Sequence, residues 1–167
     1  MKQGVGELMN LRSVILKIDD LPNLEDELEA FGRAHYADVF FSGETPGVHL
    51  LHNAELVKFD RRRFTHAFSY AGNWEVTKEK TGLDKRRIMR INWILPMIQG
   101  QVSGSECWEK LEDFKRKRIY INFKLGYVVW VESTNKGKWV FSTAYTASAS
   151  DIRKYIAGAN RIWSFGQ

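Results

Sequence analysis

The sequence predicts an α+β fold, with N-terminal helices packed on one face of an antiparallel, roughly four-stranded meander. Two observations carry that expectation. Before residue 100, apolar residues recur three and four apart, the period of a helix face. After residue 117, aromatic and β-branched runs are separated by short Gly-containing links, the pattern of strands joined by tight turns. Helices in one block followed by strands in another is the order of an α+β chain rather than of a parallel α/β one.

The elements follow in order. Residues 24–36 form a helix opened by Pro22 or Asn23, with acidic residues in its first turns and Leu24, Leu28 and Phe31 on one stripe. "SGETPG" is a loop, and "VHLLHNAELVKF" is ambiguous, with an extended segment as one reading. Asp60 caps a helix over 61–70, whose stripe is Phe64, Ala67, Phe68 and Ala71 and which Gly72 stops. Asp84 caps another over 85–95, with Ile88, Ile91 and Leu95 buried and Pro96 ending or kinking it. Residues 106–115 read as a short helix. Strands are expected at 118–123, 127–132 and 139–145. A short helix capped by Ser150 follows, and "RIWSF" is a last edge strand.

Of the 167 residues, 44% are hydrophobic, enough for one domain with a proper core. The single cysteine, Cys107, excludes an internal disulfide and a metal–thiolate cluster. "SVILKI" is broken by Lys17 and Asp19, so no apolar run approaches membrane-spanning length, and the N-terminus lacks a signal peptide's apolar centre. A soluble cytoplasmic protein with no membrane partner is therefore expected. Charge divides the chain unevenly. Residues 1–57 hold 4 Lys+Arg against 10 Asp+Glu, and residues 58–167 hold 21 against 10. The expected organisation is an acidic helical segment over 1–57, its role open, and a basic domain over 58–167. A basic surface of that size attracts polyanions, nucleic acid first among them.

Several residues suit such a partner. His66 sits about 200° around its helix from Phe64, on the polar side with Arg62 and Arg63. Two guanidiniums nearby disfavour a further positive charge on the imidazole, which suits proton acceptance near neutral pH. In "KRRIMRINW", Arg86, Arg90 and Trp93 share the face opposite the apolar stripe, where guanidiniums straddle a phosphate and an indole stacks on a base. Lys78 and Lys80 lie in a loop with Trp74, a common place for phosphate contacts. In "KWVFSTAYTA", strand alternation puts Trp139, Phe141, Thr143 and Tyr145 on one side, offering a hydroxyl and a phenol to phosphate oxygens. His49 and His52, three apart, lack the carboxylate or thiol partners of a metal site, and His35 reads as a packing residue. No metal and no cofactor is expected.

Three stretches together, "RRRFTHAFS", "RRIMRINWILPMI" and "YVVWVESTNKGKWVFSTAY", resemble the phage-associated branch of the Barnase–EndoU–colicin–RelE superfamily of small nucleases. The resemblance spans roughly residues 58–155, and "FSTAY" after "YVVWVE" is its most specific part; the acidic N-terminal third is not covered. It implies a four-stranded antiparallel sheet with helices on one face and the site on the other. The implied activity is metal-independent RNA cleavage, with His66, Arg90 or Lys80, Thr143 and Tyr145 as the catalytic set. Arg62, Arg63, Arg86, Trp93 and Lys78 would bind nucleic acid. The sequence departs from better-studied members in having no second catalytic histidine downstream of His66 and no clear catalytic glutamate. The expectation is an endoribonuclease of phage or toxin type, acting on RNA in a bacterial cytoplasm with an immunity or phage protein as a further partner. Its competitor is a nucleic-acid-binding or virion-associated protein that uses the same basic face without cutting.

Overall fold

A computed structural model of the chain describes residues 10–71 and 80–166. Its centre is a seven-stranded sheet in the order β1 (Val48–Leu50), β2 (Leu56–Lys58), β8 (Trp139–Thr146), β7 (Tyr127–Ser133), β6 (Lys115–Asn122), β5 (Ser105–Glu112), β9 (Asn160–Ser164). The sheet curls into a half-barrel. All neighbours run antiparallel except β2 and β8, which run parallel. A separate hairpin pairs β3 (Ser69–Ala71) with β4 (Lys80–Leu83). The helices are α1 (Glu25–Phe41), α2 (Phe64–Phe68), α3 (Lys85–Ile88), α4 (Ile94–Ile98) and α5 (Ala149–Ile156).

The chain is α+β, but the expected four-stranded meander with helices on one face is corrected by this sheet. The meander β5–β8 is extended at both ends. The ambiguous segment "VHLLHNAELVKF" becomes the hairpin β1–β2 and lies beside β8. Residues 106–115, expected as a short helix, instead form most of β5, its turn and the first residue of β6. Eight register pairs with β6, among them Glu109↔Arg118 and Glu112↔Lys115, outweigh that weak local preference. Helices cover both faces. α1, α2, α3 and α4 contribute to the large core on the inner face, while α5 lays Ile152 on the outer face against Ile119, Ile121 and Val128. The 57/58 boundary drawn from charge falls inside β2, and residues on both sides of it share the inner core.

α1 buries Leu28, Gly32, Tyr36 and Phe40, a repeat of four that makes one stripe; Leu24, expected on it, is exposed. Gly32 is there because α1 runs close to α2: a Cβ on it would meet Phe64 Cζ at 2.6 Å. At the end of α1 the ring of Phe40 stacks on Phe59 at 4.1 Å, and Phe59 stacks on Phe141 of β8 at 4.9 Å, joining helix, sheet edge and sheet centre. Asp60 and Asp84 accept the amides of Arg62 and Arg86 and cap the segments that follow. The long helices expected there are short instead: a 3-10 turn Arg61–Arg63 leads into α2, and a 3-10 turn Ile91–Trp93 separates α3 from α4. Pro96 opens rather than ends its helix, since it stands in the first turn of α4, where no intrahelical donor is lost. Ser148, not Ser150, caps α5 by accepting from the amide of Asp151.

Beneath the β1–β2 hairpin, Arg118 is 4% exposed. It donates to Glu55 and to Glu109, both at 2.9 Å, and its guanidinium lies 4.1 Å from the Trp139 ring centre. Desolvation alone would raise the Glu55 carboxyl, but hydrogen bonds from Arg118, Trp139 and Asn53, with the Arg118 charge, hold it at about 2. The folded carboxylate therefore binds fewer protons than the unfolded one as pH falls from about 4.5 to about 2, and its contribution is lost across that window. Urea unfolding followed against pH should show this loss. Glu55→Gln should flatten the acid limb and cost about 1–3 kcal/mol at neutral pH, because a neutral amide oxygen replaces one of the two carboxylates that compensate the buried Arg118 charge.

Candidate nucleic-acid interface and active site

β8 carries an irregularity that decides the site. Trp130 pairs with Thr143, but the next residue of β7, Val131, pairs with Phe141, so Ser142 is an extra residue, a β-bulge. Each bulge reverses which side of the sheet the following residues face. Trp139 and Phe141 therefore point into the inner core, whereas Thr143 and Tyr145, beyond the bulge, line the outer face with their partners Trp130 and Val128. The expected common side of Trp139, Phe141, Thr143 and Tyr145 does not exist.

Arg63 holds the bulge. Its Nε donates to the Ser142 carbonyl at 3.2 Å and its Nη2 to the Ser142 hydroxyl at 3.1 Å; Nη2 also stands 3.5 Å from Glu132 Oε1. The start of α2 is thereby fastened over the outer end of β7 and β8. A cleft of about 760 Å³ results, lined by Lys58, Asp60, Arg62, Arg63, His66, Glu132, Thr134, Asn135, Lys136, Lys138 and the edges of Val140 and Phe141. Its floor is a row of register partners, Lys58↔Val140↔Glu132, whose side chains share the outer face. Five cations and two carboxylates line it, and Arg62 is bound to Asp60 at 2.8 Å. The Asp60 carboxyl is held at about 2 by hydrogen bonds from Arg62 and from its backbone amide.

The cleft brings together three of the residues singled out in the sequence: His66, Arg62 and Arg63. Thr143 and Tyr145 lie next door, in a hollow of about 210 Å³ with Glu112, Lys117, Trp130, Val131, Glu132 and Ser142. Glu132 belongs to both. The Thr143 hydroxyl donates to the Ala67 carbonyl at 3.3 Å, which accepts from Arg87 as well. The Tyr145 phenol accepts from the Trp130 indole at 3.2 Å and is packed against Tyr155, with the Arg87 guanidinium 4.8 Å from its ring centre. Burial, then Tyr155, push this phenol well above its ordinary range, so it is a poor proton donor near neutral pH.

The second basic segment goes elsewhere. Trp93, expected to stack on a base, is 4% exposed and donates its indole N–H to the Leu11 carbonyl, so it is core. Arg90 lies over the Trp93 ring at 5.2 Å and donates to the Arg86 carbonyl; burial lowers its pKa. Arg86 is exposed, and neither arginine lines the cleft. Lys78 lies outside the described residues. Lys80 begins β4 with its backbone, and its side chain lies outside the described part. Three histidines are accounted for by the fold: His35 with Asn92, His49 with the Phe40 carbonyl, and His52 with the Tyr120 phenol. Among the described residues, no group of three or more His, Cys, Asp and Glu is placed to hold a metal ion.

Sequence reasoning missed Glu132, Lys58, Lys136 and Lys138. The signal for Glu132 was its place as the only charge in "YVVWVE", at the end of an otherwise apolar strand. The lysines gave none, since what gathers them is the β2–β8 pairing and the β7–β8 turn. Comparisons with protein-family models, curated proteins and solved structures found no match.

Tyr145→Phe separates a structural role from a binding one. It should cost about 1 kcal/mol in urea unfolding, because the Trp130 indole loses its acceptor. Affinity for RNA should stay at the parent value; a loss of affinity with unchanged stability would return Tyr145 to the site.

Proposed function

We propose that the protein is a metal-independent endoribonuclease whose cleft holds the phosphate backbone of RNA. The observation that carries this reading is the presence of an imidazole, His66, and a carboxylate, Glu132, in one cleft with Lys58, Arg62, Arg63, Lys136 and Lys138. RNA supplies its own nucleophile. Cleavage needs one group to take the 2′-hydroxyl proton, one to protonate the leaving 5′-oxygen, and cations around the crowded phosphorane. His66 and Glu132 are the two groups that share these proton transfers. The lysines of the β7–β8 turn and Lys58 neutralise the phosphate. The carboxylate that the sequence seemed to lack is supplied by Glu132. On this reading the enzyme works in the bacterial cytoplasm, where its substrate is, and an inhibitor or phage protein is its natural counterpart.

One observation favours a second reading, binding without cleavage. Glu132 is engaged by Arg63 at 3.5 Å and by Lys115 at 3.9 Å, and the hydroxyls of β8 do not reach the cleft. Either way a polyanion is the partner.

Purified protein should cut a labelled single-stranded RNA in EDTA, leaving a 2′,3′-cyclic phosphate, and should bind but not cut the 2′-deoxy analogue. His66→Ala and Glu132→Gln should each lower the cleavage rate by about 10²-fold or more with little change in affinity. RNA bound tightly and left intact by the parent would establish the second reading. Affinity should fall linearly on a log–log plot against salt, with a slope set by the phosphates neutralised; a flat response would remove nucleic acid as the ligand of this cleft.

A further inference from the structure

The β5–β6 hairpin ends in a two-residue turn, Asp113–Phe114, between the paired residues Glu112 and Lys115. Both turn residues have positive φ, 53° and 61°. A turn of this kind is commonly Asn-Gly, because a bulky L-residue in the left-handed region is strained. Asp tolerates it; a phenylalanine is among the poorer choices for the second place. The ring gains nothing inside the fold to offset the strain, since Phe114 is 101% exposed. Leu111, three residues before it, is 73% exposed.

The tip is not a floppy excursion. Eight register pairs hold the hairpin, and Glu112 binds Lys117 at 2.8 Å and Lys110 at 3.0 Å just below the turn. It projects at the same end of the sheet as the cleft. Lys117 of β6 pairs with Glu132 of β7, and Glu132 pairs with Val140 of β8, so hairpin and cleft are about two strand spacings apart, roughly 10 Å. The Lys115 ammonium, next to Phe114 in the chain, is 3.9 Å from Glu132, a wall of the cleft. Lys110, Lys115, Arg116 and Lys117 lie within four residues of Phe114 along the hairpin, with Glu112 and Asp113 among them; Lys110 and Lys117 are bound to Glu112 and Arg116 to Glu109.

We infer that Phe114 is a stacking platform for an unpaired nucleobase of the strand whose phosphates occupy the cleft. An exposed aromatic ring carried on a paired hairpin beside a cationic cleft is an arrangement by which proteins grip single strands without reading sequence: the cations track the backbone and the ring takes a base face. A base in a duplex has both faces covered by its neighbours, so the device selects single strands. This inference rests on the nucleic-acid reading of the cleft and adds the strand form that it takes.

The test measures binding of three probes by the parent, F114A, F114G and F114W: a single-stranded 2′-deoxy oligonucleotide, which is not cut, inorganic polyphosphate, which has phosphates but no bases, and phosphatidylserine vesicles. F114A and F114G should weaken oligonucleotide binding about tenfold, F114W should restore it, and polyphosphate binding should not change. F114G should also raise the thermal midpoint, because glycine accepts the left-handed turn without strain; its loss of binding is then not misfolding. Parent and F114A binding the oligonucleotide equally, with polyphosphate still bound, would overturn the stacking role and leave the cleft reading intact. Vesicle binding lost in F114A with oligonucleotide binding unchanged would make the tip a membrane anchor and overturn it too. A parent that binds neither polyphosphate nor oligonucleotide would remove the cleft reading together with it.

Discussion

The arrangement of this molecule depends on one extra residue in one strand, Ser142, and on the arginine that holds it. Without the bulge, β8 would keep a single alternation, and a strand rich in aromatic residues would have to bury both Phe141 and Tyr145 on the same side. With it, Phe141 completes the stack begun by Phe40 and Phe59 on the inner face, and Tyr145 joins Trp130 and Tyr155 on the outer one. The bulge also turns the Ser142 carbonyl and hydroxyl toward Arg63, and Arg63 comes from the turn that begins α2. The residue that lets the strand serve two cores therefore also fixes where His66 stands.

The two arginine clusters show one chemistry put to opposite uses. Arg118 is shut between Glu55 and Glu109 under the β1–β2 hairpin, where its charge is compensated and no anion from outside can reach it. Arg62 and Arg63 are also paired with carboxylates, but at the rim of an open cleft. The exposed pair of Arg62 with Asp60 is worth little to stability, whereas Arg63 and Glu132 are mostly covered and Arg63 is fixed by Ser142 as well. On the proposed function, a phosphate entering the cleft would meet guanidiniums already oriented by Asp60 and Glu132, with Arg63 kept in place by Ser142.

Much of this was legible from local pattern, and what was not has a physical reason. The strands over 118–133 and the edge strand near the C-terminus announce themselves by β-branched and aromatic runs, and Asp60 and Asp84 by capping chemistry. β5 was hidden because its exposed Lys and Glu favour a helix locally, and only pairing with β6 overrides them. β1 and β2 are three residues each and gain their order from β8, a partner eighty residues away in the chain. The bulge has no sequence signal of its own: Ser142 is a small polar residue between others. From that single omission came the misplacement of Thr143 and Tyr145. The histidine was found because helical periodicity is reliable over a few residues, and Glu132 was passed over because a strand's last residue has no periodicity left to judge it by. Trp93 was misjudged for a related reason. The helix it was placed on is interrupted by a 3-10 turn, which rotates the indole into the core.

The division into an acidic third and a basic remainder also takes on a different meaning once the chain is folded. Glu25, at the first turn of α1, accepts the amide of Leu83, Glu55 neutralises Arg118, and Glu29 pairs with Arg33 on its own helix. These three acids are engaged within the fold, while Asp19, Asp20, Asp26, Glu27, Asp38 and Glu44 remain exposed. Exposed cations are spread over the molecule, and four of them stand at one end of the sheet: Lys136 and Lys138 in the β7–β8 turn, Lys115 and Arg116 at the base of the β5–β6 hairpin. The attraction of a polyanion to that end would be set by its local charge, with Lys115 and Arg116 partly offset by Glu132 and Glu109, rather than by the net +5. The same end carries the exposed ring of Phe114, so electrostatic capture and base stacking would act on one strand at one edge of the fold.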